Sequence, residues 1–229
     1  MTVILLRHGR STSNTAHVLA GRSEGVDLDE RGREQADALV ARLASLPIRA
    51  LVSSPLLRCL RTLEPLSAAL QMVPVVDERL AEVDYGEWTG RKLGDLVKEP
   101  LWLVVQAQPS AAVFPHGEGL AQVQARAVAA VREHDRRLAE GHGGDALWLA
   151  CTHGDVIKAV VADALGTHLD SFQRIVADPA SMSVIRYTPM RPFVLHVNHT
   201  GSDLASGLVA PAKDGEVPAD DAVVGGSPD

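Results

Sequence analysis

Cysteine is almost missing from this chain: 229 residues contain two, Cys59 and Cys151. They have neither metal-ligand spacing nor the spacing of a redox dithiol, so they are expected to be reduced, buried thiols in a cytosolic setting. Aromatic residues make up only 3%, so rings gathered in one irregular stretch are informative. Basic charge is in deficit, with a formal net charge of −7, which argues against a nucleic-acid surface or a polybasic membrane contact. Any phosphate chemistry must then rest on a local basic pocket. No run approaches the ~20 apolar residues of a membrane span. The N-terminus has neither the charged nor the longer apolar region of a secretory leader, so a cytoplasmic protein is expected. Repeats of solenoid type are absent. Gly141-His142-Gly143-Gly144 is followed by no Lys-Ser/Thr and reads as a connector, not a P-loop. His196 and His199 lack the acid and the spacing of a zinc motif. No metal and no cofactor are expected.

Composition is otherwise that of a globular domain, 46% hydrophobic and 22% charged, and a chain of this length buries about 70% of its unfolded surface. The most informative stretch comes first. Val3-Ile4-Leu5-Leu6 reads as a buried strand, and Arg7-His8-Gly9 follows at once, placing a cation and an imidazole at a strand's carboxyl end, where open α/β sheets bind ligands. Gly9 is expected to let the backbone approach a ligand closely. Ser11, Thr12 and Asn14 add short polar groups and a helix start.

Residues 15–28 read as a loop past that strand end. Asp29 is placed as the N-cap of a helix with Ala36, Leu39, Val40 and Leu43 on one face, ending near Pro47. Arg49 to Ser53 reads as a second strand. Ser54 is then expected to cap a helix with Pro55 as its first residue, which puts Arg58 in the first turn, where a guanidinium and the helix N-terminus both favour phosphate. Val73 to Val76 reads as a third strand. Residues 79–90 form an irregular stretch with three acids and two rings, the composition of a site wall. A helix is expected over 93–106, a loop over 109–119, and a long helix over 120–140 through Leu120, Val123, Ala127 and Val131. Ala146 to Cys151 repeats the opening pattern: an apolar strand, then Thr152-His153-Gly154, then a helix from Val156 to Leu165 closed by Gly166. Ser183–Tyr187 and Phe193–Val197 read as a final hairpin. The expected architecture is a three-layer α/β/α sandwich around a mainly parallel sheet. Its catalytic domain spans 1–200, with a helical insertion at about 77–144 over the active face, and the Gly, Ala, Pro and Asp-rich tail at 201–229 reads as disordered.

Four separated motifs carry a resemblance over about 150 residues. Arg7-His8-Gly9 with Asn14, Ser53-Ser54-Pro55-Leu56-Leu57-Arg58, Glu82 followed by Tyr85-Gly86 and Trp88-Thr89-Gly90, and Thr152-His153-Gly154 together resemble the histidine phosphatase superfamily, which contains phosphoglycerate mutases and many acid phosphatases. The resemblance implies that His8 is the phosphorylated nucleophile and that Arg7, Arg58 and His153 hold phosphate, with Gly154 beside them. It also implies that Glu82 is the proton donor, with Asp84 and Glu87 as rivals. Gly21 and Tyr85 lie where related mutases contact substrate, although Tyr85 also suits a core ring. Asn14 serves as a phosphate contact or as a cap. His116 departs from the small residue expected in its loop and is a candidate for the pocket mouth.

Physical chemistry supports these roles. A phosphomonoester carries about two negative charges, so its nucleophile must act inside a cationic pocket. His8 must attack as neutral imidazole through one nitrogen while a backbone carbonyl holds the other N–H. His153, if protonated, adds a donor. A protonated Glu82 serves the leaving group and its carboxylate then activates water, which sets an acidic to near-neutral optimum. The expected function is metal-independent hydrolysis of a small phosphorylated metabolite through phosphohistidine, with no nucleic-acid or membrane partner. A homo-oligomer formed through the C-terminal strands is a further expectation. The alternatives are a phosphoglycerate mutase and a catalytically silent relative that binds phosphorylated ligands. The mutase is disfavoured because no adjacent arginines precede Arg136-Arg137.

Overall fold

The computed structural model describes residues 1–142 and 146–201. Gly143 and Gly144 of the connector, and the tail beyond Gly201, lie outside the described residues. The elements are β1 (Thr2–Arg7), α1 (Thr12–Thr15), α2 (Glu30–Leu43), β2 (Ile48–Ser53), α3 (Leu57–Leu70), β3 (Val75–Val76), α4 (Leu93–Leu96), α5 (Pro100–Ala107), α6 (Leu120–His142), β4 (Leu147–Thr152), α7 (Gly154–Leu165), β5 (Met182–Tyr187) and β6 (Pro192–His199). They build one six-stranded sheet in the order β3-β2-β4-β1-β5-β6. The first four strands of that order run parallel, and the β5–β6 hairpin is added antiparallel at one side.

Alternation along the apolar strands explains the layers, since successive side chains point to opposite faces. Ile4, Leu6, Leu149 and Cys151 join Leu39 and Leu43 of α2 and Leu63 and Leu66 of α3 in one core. Val3, Leu5, Trp148 and Ala150 join Val123, Ala127 and Val131 of α6 and Val156 and Val160 of α7 in the other. The sheet is thus covered on both faces, as a three-layer α/β fold requires. The outer strand β6 leaves Phe193, Leu195 and Val197 exposed.

Several local expectations change. Asp29 caps α2 as expected, its Oδ1 accepting from the Gly32 N–H at 2.8 Å. Ser54 does not cap α3: the helix starts at Leu57, and its N-cap Leu56 makes no side-chain cap bond. The Ser54 hydroxyl accepts from the Leu56 N–H at 3.3 Å and lies 2.7 Å from His153 Nε2. The expected helix over 93–106 is two helices, α4 and α5. Pro100 holds Glu99 in an extended conformation (φ −75°, ψ 138°) and so interrupts the helical run. The third strand shrinks to Val75–Val76.

Register positions the site. β1 and β4 are parallel neighbours with Arg7 opposite Thr152, so the residues that follow, His8 and His153, leave the sheet side by side. β2 lies on the far side of β4 with Ser53 opposite Cys151, which delivers Ser54 to the same edge.

Candidate active site

His8 is buried, and its ring is held at both nitrogens. Nδ1 lies 2.7 Å from the Gly9 carbonyl oxygen. A carbonyl can only accept, so Nδ1 carries the proton and Nε2 keeps its lone pair. The Arg58 Nε–H donates to that Nε2 at 3.2 Å, which fits only the unprotonated nitrogen. Burial, then the neighbouring charges of Arg58 and Arg7, hold the imidazole pKa well below its usual value. The ring is therefore neutral and oriented in the free protein, with the lone pair of Nε2 facing Arg58.

Two guanidiniums flank it. Arg7 ends β1 and donates through Nη1 to the Ala177 carbonyl at 2.7 Å. Arg58 comes from the first turn of α3 and donates through Nη2 to the Gly21 carbonyl at 2.8 Å. Among the described residues, Arg58 Nη1 is buried with no hydrogen-bond partner. A buried cationic donor left in that state is costly unless an anion completes it.

His153 lies edge-on to His8, with ring centroids 5.2 Å apart. Its Nε2 is 2.7 Å from the Ser54 Oγ, and its Nδ1 is 3.9 Å from Glu82 Oε2. Burial, then the charges of Arg58 and Arg7, push the His153 pKa well below the usual value.

Glu82 is the only carboxylate lining the cleft among the described residues. Asp84 instead accepts from the Gly86 N–H at 3.0 Å, and Glu87 faces His116 at 3.3 Å. Burial, reinforced by Asp155, raises the Glu82 pKa to about 7 against the opposing pull of Arg58 and Arg7. A carboxyl placed there keeps its proton near neutrality. The segment that carries it is clamped. The Glu82 carbonyl accepts from Arg22 at 2.9 Å and from Arg126 at 3.2 Å, and both arginines bind Glu118. Glu118 in turn accepts from the Asp84 N–H at 3.0 Å.

Gly86 completes this clamp. At φ +52° a side chain is strained, and a Cβ would sit 1.9 Å from the Pro115 carbonyl oxygen. Gly86→Ala is expected to cost more than about 2 kcal/mol. Chemical denaturation of the variant, read against a matched loss of activity, checks this.

The cleft is lined by Arg7, His8, Asn14, Gly21, Arg58, Glu82 and Tyr85 among others. Asn14 serves as a cap here: its Oδ1 accepts from the Ser11 N–H at 2.9 Å and the Ser11 hydroxyl at 2.7 Å. His153 and Gly154 stand one layer behind the wall, Gly154 as the first residue of α7. His116 is an exposed loop residue outside the lining, so it is not at the pocket mouth. Gly9 also lies close against the start of α2. A Cβ on it would meet the Gly32 carbonyl oxygen at 2.7 Å, so it is needed for packing against α2. Among the described residues, no group of three or more His, Cys, Asp or Glu is arranged to hold a metal ion.

The sequence pattern described as "Histidine phosphatase superfamily (branch 1)" matches residues 3–200. The chain belongs to that superfamily. Phosphoserine phosphatase 1 of Hydrogenobacter thermophilus is 29% identical over 206 residues, covering 86% of this chain and 92% of its own. A probable phosphoglycerate mutase of Proteus mirabilis is 30% identical over 152 residues, covering 62% of this chain and 70% of its own. Among solved structures, the mycobacterial glucosyl-3-phosphoglycerate phosphatase complexed with VO3 superposes with a TM-score of 0.78 at 26% identity, covering 86% of this chain and 99% of that one.

Within this histidine phosphatase, sequence reasoning missed Ser54 as the partner of His153. It also missed Thr62, whose Oγ1 accepts from the Gly9 N–H at 2.9 Å and donates to the Arg58 carbonyl at 2.6 Å. Ser13, His17 and Leu93 of the wall were missed as well. Ser54, Thr62 and Ser13 carry no local signal beyond being short and polar, His17 lies in a loop, and Leu93 begins a helix. The described residues contain no helix long and apolar enough to cross a membrane.

Proposed function

We propose that the protein is a metal-independent phosphatase that hydrolyses a small phosphomonoester through a phosphohistidine at His8. One observation carries this reading: a buried neutral imidazole whose Nδ1 is tied to the Gly9 carbonyl and whose bare Nε2 faces a guanidinium. The phosphate takes the place of that imidazole as the acceptor for Arg58, completing Nη1, and Arg7 forks over it from the other side. His8 Nε2 attacks phosphorus as the ester P–O bond breaks, and the departing oxygen takes the proton of Glu82. Water then attacks phosphorus, Glu82 now takes its proton, and the P–N electron pair returns to His8 Nε2. Negative charge from the phosphate favours protonation of His153, which then adds a donor at the base of the site. Tyr85 and Gly21 shape the wall against the leaving group.

A mutase must retain the intermediate's partner, and the adjacent pair Arg136 and Arg137 does not serve that purpose here. Both lie on α6, bound to Glu140 and Glu133, away from the cleft lining. Hydrolysis is favoured for that reason. The test is rapid acid-free quench of the protein with a ³²P-labelled phosphomonoester, alongside assays of phosphate release and of 2- and 3-phosphoglycerate interconversion. Acid-labile label on His8 with phosphate release is expected. Interconversion exceeding hydrolysis overturns the phosphatase reading, and a site that binds phosphate without taking label is a silent relative.

A further inference from the structure

The residues that hold the phosphate make up only part of the cleft lining. Much of the rest comes from the chain after β1, through Ser13, Asn14, His17, Val18 and Leu19, and from Leu93 at the start of α4. One of these residues is out of keeping with its backbone. His17 directly follows the C-cap of α1 and has φ +51°. Its N–H donates to the Asn14 carbonyl at 3.0 Å, and the Val18 N–H donates to the Ser13 carbonyl at 3.0 Å, the pair of bonds that ends a helix on a left-handed residue. Glycine takes that conformation without strain, whereas a residue with a Cβ does not. The conformation is also held from outside. The Leu93 N–H donates to the His17 carbonyl at 2.9 Å, the Leu19 N–H donates to the Arg91 carbonyl at 2.9 Å, and the Leu19 carbonyl accepts from the Gly90 N–H at 2.8 Å. A strained position fixed from both sides thus sets an exposed imidazole on the cleft wall, and strain of this kind is kept where a side chain is needed.

We propose that His17, with Ser13 and Asn14, recognises hydroxyl groups of the leaving alcohol, so that the substrate is the phosphate ester of a neutral polyhydroxy alcohol and not of an alcohol bearing a carboxylate. This rests on the phosphatase reading above. The three side chains offer donors and acceptors without a permanent charge. Asn14 Oδ1 is committed to Ser11, which leaves its amide nitrogen as the donor. Val18, Leu19 and Leu93 in the same lining suit the C–H faces of such an alcohol. A carboxylate on the leaving group needs a cation, since burying it unpaired is costly. Arg7 and Arg58, the guanidiniums of the lining among the described residues, are taken by the phosphate. The cations nearest to this wall along the chain are engaged elsewhere: Arg10 by Asp29 at 2.6 Å, Arg22 by Glu118 at 2.8 Å and Arg91 by Glu99 at 2.6 Å. Lys92 is exposed and outside the lining.

Glycerol 3-phosphate and 3-phosphoglycerate form a matched pair, the first carrying a hydroxymethyl group where the second carries a carboxylate. The kcat/KM of the parent is expected to favour glycerol 3-phosphate by about tenfold or more. His17→Gly suits the left-handed backbone, so its Tm should hold or rise. Its KM for glycerol 3-phosphate should nevertheless rise about fivefold. The ratio of kcat/KM for glycerol 3-phosphate to that for p-nitrophenyl phosphate, whose ring offers no hydroxyl, should fall by about the same factor. His17→Asn tolerates that backbone and keeps a donor and an acceptor, and is expected to recover part of the loss. Equal or greater kcat/KM for 3-phosphoglycerate in the parent, or an unchanged ratio in His17→Gly, overturns the proposal. Failure of the phosphatase reading shows separately, as absence of label on His8 and of phosphate release from every ester. Calorimetric affinities of the matched pair for His8→Ala then still decide the inference: tighter binding of glycerol 3-phosphate supports it, and equal or tighter binding of 3-phosphoglycerate overturns it.

Discussion

His8→Ala is expected to lose turnover by on the order of 10⁴-fold or more while still binding inorganic phosphate within a few-fold of the parent. No neighbouring group can replace the imidazole. His153 is wholly buried with its Nε2 engaged by Ser54, and Cys59 lies behind it, its Sγ 3.5 Å from the same nitrogen. The phosphate-holding groups survive the change, because Arg7 is anchored on Ala177 and Arg58 on Gly21, independently of His8. The variant should also fold. The ring bonds only to its neighbour's carbonyl and to Arg58, so the loss is that of a modest cavity. The measurements are kcat on p-nitrophenyl phosphate, competition by phosphate, and Tm. Turnover within tenfold of the parent would remove His8 as nucleophile.

Much of this site was legible because its parts end strands. An apolar run that stops at Arg7-His8-Gly9, repeated at Thr152-His153-Gly154, announces two imidazoles at one sheet edge once the strands are parallel neighbours. What the chain could not show locally was which strands adjoin. The order β2-β4-β1 brings Ser53 opposite Cys151 and Arg7 opposite Thr152. That register turns Ser54 from an apparent helix cap into the partner of His153. The close approach of Gly9 to Gly32 was hidden for the same kind of reason, because the two are distant in sequence. The helix break at Pro100 was legible in principle, since proline restrains the residue before it, but the apolar spacing across 93–106 masked it.

Charge in this protein is organised against its own average. A chain of net charge −7 gathers two arginines around one imidazole and keeps Glu82, among the described residues the single acid of the cleft, in a state that favours protonation. The surrounding acids are spent on fastening. Glu118 is held low by Arg126 and the Asp84 N–H, despite its partial burial, and so anchors the segment carrying Glu82.

Glu82→Gln follows from this arrangement as the second large effect. For an alkyl phosphate, loss of the proton donor is expected to lower kcat/KM by about 10²- to 10⁴-fold. For p-nitrophenyl phosphate, whose leaving group departs without an acid, phosphorylation of His8 should be far less affected. The step that needs Glu82 as a base then slows, so the variant should accumulate labelled His8 that the parent turns over. The pH dependence has a defined sign. The Glu82 pKa lies at about 7 in the folded protein against an ordinary 4.5, so the acid form is present below pH 7 and kcat/KM of the parent falls as pH rises through it. The acid limb lies below the ordinary histidine range because His8 stays neutral there. The Gln variant should lose the alkaline limb. Stability moves with the same proton. Between about pH 4.5 and 7 the folded state holds a proton that the unfolded chain releases, so the parent loses stability across that window, on the order of 2–3 kcal/mol. Glu82→Gln has no proton to lose there, and its denaturation midpoint should fall less than that of the parent from pH 4.5 to 7. Parallel midpoints for the two proteins across that window would place the proton on another group.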